Sequence, residues 1–276
     1  MPELPEVETV VRDLRPLIVG RTISSIWLGP KKLRMPWSDV WNAGVVGASV
    51  AAIRRRGKWI LVDLDSGAIL LVHLGMTGQF TAVPAADPRP DHLHFVFDLG
   101  GGHELRYRDV RRFGSVQWIA SDAVVQHAFG ETLGPEPFDI PAVPFSTALR
   151  ARRRNLKAIL LDQSILAGVG NIYADESLFR AKLHPQTLGS DLTKAQCDRL
   201  RLAIEAVIVR AIDSRGSSIR DYIGGSGLRG GFQDEFAVYG RTGEPCEVCK
   251  TPIEMIRVAG RSSHYCPKCQ KKNPRR

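Results

Sequence analysis

The chain has 276 residues, 43% hydrophobic and 24% charged, an ordinary globular composition that excludes a disordered polymer. Lysine and arginine number 38 against 29 acidic residues, and the resulting charge of +9 favours a polyanionic partner. No apolar run approaches a membrane span and the opening lacks the basic-then-apolar pattern of a secretion signal, so the expectation is a cytoplasmic protein with no membrane association.

The chain opens MPELPEVETV. Pro5 suits the first turn of a helix, where its missing N–H costs nothing, and Glu6 and Glu8 then complement the helix dipole. Val7, Val10, Val11 and Leu14 follow at helical spacing. This accounts for Glu6 and Glu8 but not for Pro2 and Glu3.

Up to about residue 130 the chain then reads mainly as β. TISSIWLGP, ILVDLDSGAILLVHL, LHFVFDLGGGHELRYRDV and GSVQWIA are short apolar or alternating runs, with hairpin turns at DSGA and LGGGH. With the opening helix in front, they predict a β-sandwich or barrel-like domain. The four prolines of Gly134 to Pro144 mark a linker. From Phe145 to Ile223 the pattern is helical, with AGVGN as one of the turns, and Cys197 falls inside a helical stretch as a packed or half-exposed thiol. GGSGLRGGFQDEF, with five glycines, predicts a flexible loop.

Cys246, Cys249, Cys266 and Cys269 form C-x2-C-x16-C-x2-C, the spacing of a four-thiolate zinc site, with room for a β-hairpin between the pairs. Soft thiolates at a closed site select Zn²⁺, and a site with four protein ligands is structural. Disulfides are the rival reading, disfavoured by the missing secretion signal. Between Cys246 and Arg276 lie eight lysines and arginines against two glutamates, so six of the nine net charges sit there. Arg54 to Lys58 (RRRGK) and Arg150 to Lys157 (RARRRNLK) are further clusters without an acidic residue. Together they suggest a surface that tracks phosphates; a solvated charged face is the alternative for each.

MPELPEVETV, RRRGKWIL, HLGMTGQF, RDVRRFGS, LLDQSILAGVGNIYADESLFRAKLHP, VYGRTGEPCEVC and GRSSHYCPKCQ run in order from the first residue almost to the last. In that order the chain resembles the bacterial formamidopyrimidine-DNA glycosylases, base-excision enzymes for oxidised purines. The resemblance implies a multi-domain α+β fold. Residues 1–133 would form an N-terminal β-sandwich with flanking helices and 134–224 a helix–two-turn–helix domain. Residues 225–276 would hold a lesion loop and a zinc-ribbon hairpin, with double-stranded damaged DNA in the cleft between the lobes. A monomer is expected, with one structural zinc and no organic cofactor.

The resemblance also implies roles. Met1 is removed and the exposed Pro2 nitrogen is the nucleophile that forms a Schiff base. A terminal amine suits this, because a pKa of about 7.7–8.0 leaves a useful neutral fraction near pH 7. Glu3 is the general acid/base at the sugar-ring oxygen, Glu6 a secondary catalytic candidate, and Lys58 lies beside the scissile phosphate. Asn171 and Arg261 hold the phosphate region of the flipped nucleotide, with His73, His92 and Lys157 as further DNA contacts. Met76, Arg111 and Phe113 fill the vacated stack and hold the orphaned base. Two departures stand out: His94 occupies a place where many members carry an acidic residue, and the loop at 224–231 is glycine-heavy. Two other readings remain. One is the sister enzyme for oxidised pyrimidines, which PELPEVE and RRFG disfavour. The other is a non-catalytic DNA-binding zinc-ribbon protein, which would need neither Pro2, Glu3 nor Lys58.

Overall fold

The computed structural model describes residues 2–218 and 223–272; Met1 and the basic Arg275 and Arg276 lie outside the described residues. The chain forms two compact units, one from the N-terminus to Glu131 together with Ile212–Gln233, the other Thr132–Ala211 with Asp234 onward.

In the first unit, α1 (Leu4–Ile18) begins as the proline and glutamates require. Pro5 lies in the first turn, and Glu3 and Glu6 form a reciprocal capping box in which Glu6 accepts the Glu3 N–H at 2.8 Å. The valine stripe is buried, with Val7, Val10, Val11 and Leu14 at most 1% exposed. Eight strands follow: β1 (Ser25–Leu28), β2 (Val50–Arg56), β3 (Trp59–Leu64), β4 (Ile69–His73), β5 (Gly78–Pro84), β6 (Leu93–Asp98), β7 (His103–Asp109) and β8 (Ser115–Ile119). They pair antiparallel in two four-stranded sheets, ordered β1-β6-β7-β5 and β2-β3-β4-β8. Ile60, Val62, Leu70 and Val72 of one sheet and Phe80, Phe97, Leu105 and Tyr107 of the other fill the core, joined by the α1 stripe. This is the expected sandwich. Three elements lie outside the runs read from the sequence: β2 through VAAIRRR, β5 through GQFTAVP, and α2 (Asp122–Thr132), a flanking helix. α2 buries only Val125 and Phe129, a stripe too thin for periodicity to reveal.

The expected boundary at 224 falls within a segment that packs with the first unit. Glu6 accepts both the Ser217 N–H (2.7 Å) and its hydroxyl (3.1 Å), and Asp13 pairs with Arg215 and accepts from Ser226. Gly225 and Gly230 of the loop answer to close approach here. A Cβ on Gly225 would meet Val10 O at 2.8 Å, and one on Gly230 would meet Gly216 O at 2.3 Å.

The second unit is helical: α3 (Ala142–Arg150), α4 (Leu156–Leu160), α5 (Asn171–Arg180) and α6 (Lys194–Asp213), the last two residues of α6 counting with the first unit. The two turns between α4 and α5 are stapled by Gln163. Its amide donates to Leu161 O and Val169 O and accepts from the Gly168 N–H. A hairpin of β9 (Glu254–Val258) and β10 (Arg261–Tyr265) completes the unit. Among the described residues, no helix is long and apolar enough to cross a membrane.

Candidate functional site

Pro2 and Glu3 are buried at the start of α1. Lys58 sits in the two-residue turn between β2 and β3, where Gly57 takes φ +56. That hairpin is tied to α1 by the Glu8–Arg55 ion pair at 2.9 Å. Burial works against the Glu8 carboxylate, but its bonds to Arg55 and Arg12 hold its pKa below the usual range. Glu8 is thus a clamp rather than a helix-dipole residue. Glu6 has both carboxylate oxygens engaged, one with the Glu3 N–H and the other with Ser217, and is 1% exposed. These contacts fix the terminus and hold residue 217 against it.

His73 ends β4 opposite Trp59 in register, with ring centroids 4.7 Å apart. Its Nδ1 accepts the Gly75 N–H at 3.0 Å, which places the proton of the neutral ring on Nε2. Burial, aided by the charge of Lys58, pulls its pKa down to about 4. His73 therefore meets any anion at neutral pH as a neutral N–H donor. His92 is exposed and takes a left-handed φ of 63°. His94 is buried and spans two carbonyls, Lys31 O from Nδ1 (2.8 Å) and Asp109 O from Nε2 (2.9 Å). It joins the 29–37 connection to the end of β7, a structural account of the departure noted in the sequence.

Met76 lies in the turn between β4 and β5, and Arg111 and Phe113 in the turn between β7 and β8. The structure brings these turns into backbone contact. A Cβ on Gly75 would meet Gly114 N at 2.5 Å and Phe113 C at 2.7 Å. Phe113 is 50% exposed, with the Arg111 guanidinium 4.7 Å from its ring centroid. A half-exposed phenylalanine on a tight turn contributes little to a core.

The basic clusters are less available than their composition suggests. Arg54 pairs with Asp63 and Asp122, and Arg55 with Glu8. Arg150 and Arg152 donate to the carbonyls of Leu192 and Ala148, and Arg154 pairs with Asp162. Lys157 is the main correction. It is fully buried, with Nζ donating to Asp175 at 2.6 Å and to Asn171 O at 2.7 Å, so it lies inside the unit and not at a DNA-facing surface. Sequence cannot show this, because the partner carboxylate is 18 residues away.

Asp175 joins two elements. Its second oxygen accepts the His264 N–H (2.8 Å) and faces His264 Nδ1 (3.1 Å) on β10. Glu176 accepts the N–H groups of Ala237, Val238 and Tyr239; its burial outweighs them and pushes its pKa up. α5 is thereby fixed to the hairpin. Asn171, at its first residue, reaches Ser262 Oγ at 3.2 Å, while its Oδ1 is buried without a partner. Arg261 stands next to Ser262, just past a turn in which Ala259 and Gly260 both have positive φ (51° and 73°), and is exposed. Asn171 is thereby joined to the residue that follows Arg261 in β10.

The four cysteines gather as the spacing predicts, with all Sγ atoms within 4.8 Å of one another. A tetrahedral zinc with Zn–S of about 2.3 Å separates its sulfurs by about 3.8 Å, so the set fits that ion. The apolar cluster around it holds Val238, Ile253 and two of the cysteines, too little to stand alone.

Comparison with known proteins agrees with this arrangement. Residues 1–116 match the family model described as "Formamidopyrimidine-DNA glycosylase N-terminal domain" and residues 133–222 the "Formamidopyrimidine-DNA glycosylase H2TH domain". Residues 243–272 match the "Zinc finger found in FPG and IleRS". The formamidopyrimidine-DNA glycosylase of Desulforamulus reducens is 43% identical over 98% of this chain and 99% of its own. That of Geobacillus kaustophilus is 44% identical over 98% and 100%. Among solved structures, a Lactococcus lactis variant in complex with Fapy-dG-containing DNA superposes with a TM-score of 0.91 at 37% identity, covering 98% of this chain and all of that one. The Lactococcus lactis protein with abasic-site DNA gives 0.90, also at 37% and with the same coverage. With relatives alike over nearly the whole length, the chain belongs to the formamidopyrimidine-DNA glycosylase family.

Proposed function

We propose that the protein is a bifunctional DNA glycosylase and AP lyase. It removes oxidised purines, 8-oxoguanine and formamidopyrimidines, from duplex DNA, acting as a cytoplasmic, nucleoid-associated monomer. The observation that carries the reading is the N-terminus. Pro2 and Glu3 lie at the capped start of α1, and the Lys58 hairpin is clamped to that helix through Glu8 and Arg55. Simple DNA binding has no use for a buried proline beside a buried carboxylate.

With Met1 removed, the secondary amine of Pro2 attacks C1′ of the damaged nucleotide. The glycosidic bond breaks, its electron pair leaves with the base, and the base takes up a proton. Glu3 protonates the ring oxygen as the sugar opens, leaving a cationic imine between proline and C1′. That cation acidifies the C2′ hydrogen, so its loss expels the 3′ phosphate and a second elimination expels the 5′ phosphate. Lys58 balances charge on a neighbouring phosphate, and the Nε2–H of His73 donates a hydrogen bond to it. Asn171 and Arg261 hold the backbone, the guanidinium offering two parallel donors. Met76, Arg111 and Phe113 occupy the gap in the stack. Cys246, Cys249, Cys266 and Cys269 would hold one structural zinc, which supplies a cross-link between two chain turns and leaves no open ligand position. The reaction calls for no organic cofactor.

A panel of duplexes carrying one lesion each tests this. Excision of 8-oxoguanine and formamidopyrimidine, with phosphate left on both sides of the gap, is expected. Preference for oxidised pyrimidines would move the protein to the sister activity, and binding without cleavage would make it a lesion reader.

A further inference from the structure

Asp109, at the end of β7, is fully buried and belongs to none of the roles above. Its carboxylate accepts three hydrogen bonds. Oδ1 takes the hydroxyl of Thr77 (2.5 Å) and the N–H of Arg111 (3.1 Å), and Oδ2 takes the N–H of Gly114 (2.8 Å). Thr77 follows Met76 in one turn; Arg111 and Gly114 bracket Phe113 in the other. We propose that Asp109 is a positioning residue that locks the Met76 turn to the Arg111–Phe113 turn, so that the three gap-filling side chains enter DNA as one preset wedge. This rests on the proposed role of those side chains.

Three features support a device rather than ordinary turn packing. First, Arg112, between the two N–H donors, holds a left-handed φ of 58°, unfavourable for a residue with a Cβ. The carboxylate bonds on either side offset that strain and fix the directions of Arg111 and Phe113. Second, the turns touch through glycines that admit no side chain. A Cβ on Gly114 would lie 1.8 Å from the Tyr107 hydroxyl, which itself donates to His73 O. Third, the Asp109 backbone is held from both directions, its N–H by His92 O (3.1 Å) and its carbonyl by the His94 ring (2.9 Å). A wedge that must enter a stacked duplex gains from having its side chains ordered beforehand, because ordering during insertion subtracts from the work of unstacking.

Asp109→Asn keeps the shape but replaces one acceptor with a donor, so the N–H of Gly114 or of Arg111 loses its bond to this side chain, while the Thr77 hydroxyl can turn to accept. Thr77→Val removes only the hydroxyl that joins the turns. Single-turnover excision is measured on duplex DNA and on a substrate whose lesion is already unstacked by a bulge, for Asp109→Asn, Thr77→Val, Phe113→Ala and Asp109→Asn/Phe113→Ala. The expected result for Asp109→Asn is a loss of about tenfold or more on duplex, most of it recovered on the unstacked substrate, with little further loss when Phe113 is already alanine. Thr77→Val should show the same contrast at smaller size, and it carries the test if Asp109→Asn does not fold. Equal losses on both substrates, or losses additive with Phe113→Ala, would reduce Asp109 to a stability residue and overturn the proposal. If Phe113→Ala itself shows no duplex preference, the gap-filling role falls, and this inference with it.

Discussion

Replacing Lys157 with methionine separates a buried ion pair from a DNA contact. The substitution keeps the aliphatic stem and removes an ammonium that is 0% exposed, stranding Asp175 Oδ1 and taking one donor from Asn171 O. Breaking one side of a buried pair costs about 3–5 kcal/mol. Asp175 keeps the His264 N–H at 2.8 Å, which places the expected loss near the lower end, about 3 kcal/mol. At ~2–4 °C per kcal/mol for a protein of this size, the melting temperature should fall by ~6–12 °C. Replacing both partners, Lys157→Met with Asp175→Leu, should recover part of that loss, since no charge is left buried alone. The assay is thermal unfolding beside DNA binding across a salt series. A phosphate-contacting lysine would behave in the opposite way, with the melting temperature unchanged and the slope of log affinity on log salt reduced by about 0.9. That result would refute the burial argument.

Phe113→Ala should leave stability within about 0.5 kcal/mol, because the ring is 50% exposed. It should slow excision from duplex DNA by ~5- to 150-fold, the equivalent of about 1–3 kcal/mol of lost stacking. Arg111→Ala should relax discrimination among opposite bases, read as the ratio of excision rates on the four pairings. Cys249→Ser should release the metal and weaken DNA binding while the first unit stays folded, as seen by metal analysis beside circular dichroism. His73 gives a pH dependence with a definite sign. Its folded pKa of about 4 lies below the ordinary value, so its contribution is complete above about pH 6.5 and is lost as pH falls toward 4. His73→Gln should flatten that limb of the stability curve measured by denaturant titration.

Residues whose partners are close in sequence were the legible ones. The start of α1 at Pro5, the hairpin of β3 and β4 and the paired C-x-x-C turns follow from spacings of a few residues. What was hidden depends on distant partners. Glu6 meets Ser217 across 211 residues, a contact within the first unit, to which the 212–233 segment belongs. Lys157 looks solvated until Asp175 is folded against it. β5 escaped notice because GQFTAVP opens on glycine and closes on proline, although its register with β7 is continuous from Gly78 to Pro84. Asp109 stood in plain view within RDVRRFGS, but its task is set by Thr77, 32 residues earlier.

The central claim is that the N-terminal nitrogen of Pro2 does the chemistry. Reduction with borohydride during reaction on a lesion-bearing duplex, followed by mass spectrometry of the digested adduct, tests it most directly. The account predicts a DNA remnant on the N-terminal peptide that begins at Pro2, attached at its nitrogen, and none when an uncleaved residue precedes Pro2. An adduct on a lysine, Lys58 included, or full cleavage by a verified N-terminally extended protein, would contradict it.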